Sequence, residues 1–150
     1  MNKIKLYMET TKKTPEETLS DIQKLLKQLN VTNILINYSN GEISGVSFIL
    51  ITKNNVSIPY KLPIRHDKLW KMSKEGKLRY IKDEQQARKV AWRQTYKWLE
   101  SQLSLILIEM VSVEEVFLPY MLITDTETVY DKFINGGFAG YLNSGDKNGK

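Results

Sequence analysis

From Lys3 to Thr10, Ile4, Leu6 and Met8 alternate with polar residues, which predicts a strand at the start of the chain. The period then changes. Ile22, Leu25, Leu26 and Leu29 recur at helical spacing behind Thr14-Pro15-Glu16-Glu17. Thr14 can cap that helix, Pro15 suits its first position and Glu17 completes a capping box. Asn30 can take the left-handed conformation that ends a helix. Three alternating runs follow: Ile34, Ile36 and Tyr38; Val46, Phe48 and Leu50; Ile58, Tyr60, Leu62 and Ile64. Asn40-Gly41, inside Ser39–Glu42, is a hairpin signal, and Lys53-Asn54-Asn55 makes the second turn. Pro59 and Pro63 have no N–H to donate, so the third strand is expected at a sheet edge or to end early.

His66 to Glu75 reads as a short helix stopped by Gly76, with Leu69, Trp70 and Met72 as a weak apolar stripe; Lys77 to Lys82 is a basic connector. Asp83, with Gln86 at the capping-box position, opens the longest helix, predicted to run to about Met110. Trp92, Tyr96, Leu99, Leu103, Ile106 and Met110 form its apolar seam. Beyond Ser104 the pattern is apolar nearly all round, so that end is expected to be buried, with Glu109 in need of a partner. Ser112-Val113-Glu114-Glu115 is another capping box, for a helix of one or two turns closed by Pro119. A strand over Tyr120 to Ile123 and a short helix over Thr128 to Ile134 complete the pattern, and the polar tail from Asn143 to Lys150 is expected to be disordered. The resulting order, β-α-β-β-β-α-α, is α+β: one domain over residues 1–142, an antiparallel meander packed against the long helix of the C-terminal half.

Composition changes this picture little. The 150 residues are 41% hydrophobic and 26% charged, ordinary for one globular domain. The absence of cysteine excludes thiol catalysis, thiolate metal sites and disulfides. The first residues lack an apolar signal region and the longest apolar run, Leu105 to Ile108, is too short to cross a bilayer, so a cytoplasmic protein without a membrane partner is expected.

Charge is more informative in its distribution than in its net value of +5. Tyr60 to Trp98 holds twelve Lys or Arg against four acids, whereas Leu99 to Asp131 holds seven acids and no base. Six of the fifteen aromatic residues, including all three Trp, fall in the basic stretch. Cationic side chains neutralise phosphates and exposed rings stack on unpaired bases, so this mixture points to a nucleic-acid-binding surface. Its candidate residues are Arg65, Lys68, Lys71, Arg79, Lys82, Arg88, Lys89, Arg93 and Lys97, with Trp70 and Tyr80 as stacking platforms.

No complete catalytic constellation stands out. His66 beside Asp67 resembles a base and its orienter, but no nucleophile or second His accompanies the pair. Asp125, Glu127 and Asp131, or Glu114 and Glu115, supply carboxylates for a divalent metal without the spacing of a calcium loop. Gly136-Gly137 and Gly140 lack the strand and the Lys of a phosphate loop and read as a turn. No catalytic residue, metal ligand or cofactor is therefore assigned.

Two resemblances enter. The α-β-β-β-α order from Pro15 to Met110 is similar to the double-stranded-RNA-binding domain and to the core of phage single-strand annealing proteins. In the former a basic cluster opening the last helix touches phosphates, a role the resemblance would place on Arg88, Lys89 and Arg93; the stretch from His66 to Lys82 is an addition to that small domain. Over Lys5 to Phe138 the chain also resembles a family of small phage and prophage proteins with no established activity. The strings that carry this are Leu6-Tyr7-Met8-Glu9-Thr10-Thr11, Ile58-Pro59-Tyr60-Lys61-Leu62-Pro63-Ile64-Arg65, Ala91-Trp92-Arg93-Gln94, Trp98-Leu99-Glu100-Ser101-Gln102-Leu103 and Val116-Phe117-Leu118-Pro119-Tyr120-Met121. This second resemblance implies a viral or mobile-element origin and adds no catalytic residue. The leading expectation is thus a non-catalytic phage nucleic-acid-binding protein. The alternatives are a protein-interaction module, either a homo-oligomer or a partner of a host defence factor, and a metal-dependent nuclease.

Overall fold

The structure, a computed structural model, describes residues 2–137 and 140. Thr14 caps helix α1 (Pro15–Lys27) in a complete capping box with Glu17, as the local sequence requires. Asn30, at φ +58°, turns the chain into strand β1 (Val31–Ser39). Strands β2 (Glu42–Ile51) and β3 (Ser57–Lys61) follow in an antiparallel meander of order β1-β2-β3. Tyr38 pairs with Ile43 and Ser39 with Glu42, leaving the two-residue loop Asn40-Gly41, both at positive φ (+52° and +78°). That conformation matches the right-handed twist of the strands it joins and accounts for the Asn-Gly choice. The proline-bearing β3 lies at an edge and ends at Lys61.

Register places Val46, Phe48 and Leu50 of β2 opposite Ile36, Ile34 and Val31 of β1, and sets Phe48 against Tyr60 of β3. On this face lie Leu19, Ile22 and Leu26 of α1 and Trp92, Leu99 and Leu103 of helix α3 (Glu84–Leu107). Phe117, at the end of helix α4 (Val113–Phe117), closes the core. It meets Phe48 edge-on at 5.4 Å and Trp98 edge-on at 5.9 Å, while Phe48 and Tyr60 stack at 5.5 Å. A second, smaller core forms where helix α2 (His66–Lys74) packs on the first half of α3. Leu78 and Ile81 of the connector sit there with Ala87 and Val90, flanked by Leu6, Leu69, Trp70 and Met72. The α+β class and the meander therefore stand as read from the sequence.

Three expectations are corrected. The N-terminal segment is not a sheet strand. It makes a single parallel bridge, Ile4 to Leu78, then turns over Tyr7–Thr10 with Met8 at φ +61°. The Glu9 carboxylate accepts the Leu6 N–H at 3.0 Å, so a local turn takes the backbone donor that a ladder would have used. The end of α3 is not buried: Leu107, Ile108 and Met110 are exposed, and so is Glu109. The helix simply continues past Leu103, the last fully covered residue of its seam. Tyr120 to Ile123 forms no strand but two isolated bridges, Tyr60 to Met121 and Leu122 to Thr128, which screen part of the outer edge of β3. Thr128 caps the short helix α5 (Val129–Lys132), which runs into a π turn at Phe133–Gly137 with Gly136 at φ +145°. Residues 143–150, expected as a disordered tail, lie outside the described residues.

Candidate nucleic-acid interface

Helix α3 carries four of the candidate cations, and packing divides them. Arg88 is 4% exposed. Its Nη2 donates to the carbonyl of Ile43, its Nε lies 3.3 Å from a Glu42 carboxylate oxygen, and its Nη1 lies 3.4 Å from His66 Nε2. The guanidinium thus ties α3 to the first residues of β2 and to the first residue of α2. Arg93 donates to Asp21 at 2.8 Å and lies 4.3 Å over the Tyr96 ring, locking α3 to α1. That hydrogen bond holds the Asp21 carboxyl below the usual carboxylate range. Both arginines are consumed inside the fold, so neither forms part of an exposed phosphate-binding surface. Lys97 pairs with Glu100 at 3.5 Å and Lys89, half-buried, has no ion-pair partner among the described residues.

The remaining candidates lie on α2 and the connector. Lys68 and Lys71 are exposed on successive turns of α2. Arg65, the residue before the helix, stands 6.0 Å over the Tyr130 ring. Arg79 bonds Glu9 at 2.6 Å yet keeps half its side chain in solvent. The Leu6 N–H, followed by Arg79, holds the nearly buried Glu9 carboxyl below its ordinary value. Tyr80 is about half exposed and available for stacking, whereas Trp70 is packed into the smaller core with the Lys74 ammonium 5.6 Å from its ring. Trp70 therefore serves packing, as does Trp92, which is fully buried.

Pairing of Ile4 with Leu78 adds residues that the local pattern did not place here. Ile4 N–H donates to the Lys77 carbonyl at 2.8 Å and Arg79 N–H to the Ile4 carbonyl at 3.0 Å. This bond pair carries the exposed Lys3 and Lys5 alongside Lys77, Arg79 and Lys82. The like charge of Lys3 lowers the Lys82 pKa. No ion pair neutralises either lysine among the described residues. The signal was in the sequence, in the Lys3-Ile4-Lys5 alternation, but its partner segment was not.

Few ion pairs join the basic and acidic segments among the described residues. Among the described residues one ion pair, Lys97–Glu100, links the 60–98 stretch to the 99–131 stretch; Arg79, Arg88 and Arg93 pair instead with Glu9, Glu42 and Asp21. The carboxylates considered as metal ligands have local duties. Asp131 accepts the Thr128 N–H at 3.0 Å and Glu115 the Ser112 N–H at 3.0 Å. The Thr128 N–H and hydroxyl, with Arg65 and Lys61 beyond them, keep the Asp131 carboxyl below its ordinary value. Among the described residues no three His, Asp or Glu converge as metal ligands, and no helix is long and apolar enough to cross a membrane. His66 faces Arg88 rather than a nucleophile. Compared with models of protein families, with curated proteins and with solved structures, the chain matches none.

Proposed function

We propose that the protein binds single-stranded nucleic acid through the face built from the N-terminal segment, α2 and the 77–82 connector, and that it does so without catalysis. The observation that carries this reading is the Ile4–Leu78 bridge, which sets the exposed Lys3 and Lys5 beside the basic 77–82 connector. Gathering like charges on one face costs free energy, and a bound phosphate would relieve it. Lys68, Lys71 and Lys74 extend the positive field, Lys77 being paired with Glu75 at 2.6 Å, and Tyr80, between Arg79 and Lys82, offers a ring on which an unpaired base can stack. A phage or prophage setting, implied by the family resemblance, is compatible with such a role. The test is fluorescence anisotropy of labelled single-stranded and duplex oligonucleotides at two salt concentrations. The reading expects affinity tighter than about 1 µM at low salt, weakening steeply as salt rises, with the single strand preferred. Absence of binding at low salt would remove it.

A second reading, self-association through opposite charges, draws on the near absence of ion pairs between the basic and acidic segments within one chain. Mass in solution, measured without nucleic acid, separates the two. An oligomer that dissociates as salt rises favours the second, and a monomer at all salt concentrations removes it.

A further inference from the structure

Strand β1 ends the sheet on one side, and its outer edge is bare. It pairs only with β2, and among the described residues no backbone hydrogen bond joins its outer edge to another segment. The opposite edge is treated differently: β3 carries Pro59 and is partly screened by the Tyr60–Met121 bridge. Sheet edges are ordinarily blunted by charge, proline, a bulge or a cover, because an unpaired edge is a template for another strand. None of the nine residues of β1 is charged or proline, and the uncharged run extends from Gln28 to Gly41. Register with β2 shifts at Thr32 and again past Asn37, leaving Asn33 to Asn37 as an unbroken ladder. Side chains show the same incompleteness. Ile34 and Ile36 lie opposite Phe48 and Val46, which are buried, yet both remain half-buried, and Leu35 on the other face is 62% exposed.

This regular run reads the same in both directions: Asn33-Ile34-Leu35-Ile36-Asn37 is symmetric about Leu35. We infer that β1 pairs antiparallel with β1 of a second copy of this chain, about a two-fold axis at Leu35. In that register Leu35 opposes the partner's Leu35, Ile34 the partner's Ile36 and Asn33 the partner's Asn37. Opposed residues of an antiparallel pair share a face, so leucines and asparagines meet on the outer face and isoleucines on the core face. Each half-buried isoleucine gains the apolar neighbour that the edge position denies it. A shift by one residue would set core-facing positions against outward-facing ones. The asparagine amides can both donate and accept across the seam. Each copy carries a net charge of +5, and the neutral edge is where two such copies meet without opposing like charges. The interface is isologous, and the six-stranded sheet it makes ends on β3 at both sides, so assembly closes at two chains. This pairing uses neither the proposed nucleic-acid face nor opposite charges.

The test is the mass of the whole chain by sedimentation equilibrium, without nucleic acid, at low and high salt. Five paired residues span about 17 Å and bury less than the roughly 800 Å² per partner of a standard interface, so a dissociation constant on the order of 50 µM is expected. Raising the salt should not weaken the dimer, since no ion pair holds it. Leu35→Lys sets two ammonium groups at the axis and is expected to raise the dissociation constant by about tenfold or more. Because Leu35 is exposed in the single chain, the circular dichroism of this variant should match the parent, which separates loss of pairing from loss of fold. Register is read by cross-linking, and the absence of native cysteine makes each introduced thiol the only one. Under a mild oxidant Leu35→Cys is expected to form a disulfide dimer. Asn33→Cys should do so only when mixed with Asn37→Cys, because Asn33 and the partner's Asn33 lie about 13 Å apart along the strands, beyond disulfide reach. A monomer mass at concentrations up to about 500 µM, ten times the expected constant, would overturn the inference. So would a dimer that survives Leu35→Lys, a disulfide formed by Asn33→Cys alone, or a dimer that dissociates as salt rises, which is the behaviour of pairing through opposite charges.

Discussion

Replacing Arg88 by Ala distinguishes a structural cation from a nucleic-acid contact. The side chain is 4% exposed and its guanidinium meets Glu42, the Ile43 carbonyl and His66. Its removal leaves the Ile43 carbonyl without that donor, a loss of about 1–3 kcal/mol where water cannot replace it. Loss of the buried stem adds about 1–2 kcal/mol of packing. The full penalty of a broken buried ion pair, about 3–5 kcal/mol, does not apply, because the Glu42 side chain is 48% exposed and water solvates it. A destabilisation of roughly 3 kcal/mol follows, which for a chain of this size lowers Tm by about 6–12 °C. Arg88→Lys, which keeps the charge but not the forked donors, should fall between. The assay is thermal denaturation followed by circular dichroism, paired with oligonucleotide anisotropy below the transition. The variant is expected to bind as the parent does while folded. A Tm within about 2 °C of the parent, accompanied by a tenfold loss of affinity, would refute the structural assignment of Arg88.

Reversing Lys3 and Lys82 together to Glu should leave Tm unchanged or slightly raised and weaken oligonucleotide binding at least tenfold. The salt dependence of log K should become shallower by about 1.4, for two lost single-strand phosphate contacts; an unchanged slope would place the contacts elsewhere. Phe117→Ala should cost about 3–5 kcal/mol, read from urea denaturation, because the ring is fully buried among Phe48, Tyr60 and Trp98, whereas Leu118→Ala, at a half-exposed side chain, should stay within about 0.5 kcal/mol. The Asp21 carboxyl titrates below its ordinary value in the folded chain because Arg93 donates to it. Its stabilisation is therefore fully present above the unfolded aspartate value, about pH 4, and is lost as pH falls through the lower folded value. Asp21→Asn should reduce stability at neutral pH and flatten the acid limb of a stability–pH curve; an acid limb as steep as the parent's would contradict the pairing.

Elements defined by near neighbours were legible in the sequence, because their determinants lie within a few residues. The Thr14–Glu17, Ser112–Glu115 and Thr128–Asp131 caps each bond across three positions, and the positive φ values of Asn40 and Gly41 are the property for which an Asn-Gly loop is read. The alternation in β2 and β3 likewise reported which face meets the core. Local periodicity could not separate Arg88 and Arg93 from the exposed lysines of the same basic stretch. Their burial depends on Ile43 and Asp21, 45 and 72 positions away. Nor could it show that the N-terminal alternation belongs beside Leu78, where it sets Lys3 and Lys5 next to the basic connector, or that α3 outruns its cover and leaves its last residue, Leu107, with Ile108 and Met110 after it, in solvent. The sequence by itself determined the capped helices, the meander and the uneven charge, but not the two segments that form isolated bridges in place of strands, since the former follow from backbone preference and composition. Only the tertiary structure decided which cations are consumed by internal carboxylates and carbonyls and which remain at the surface, because desolvation and pairing are properties of the assembled neighbourhood.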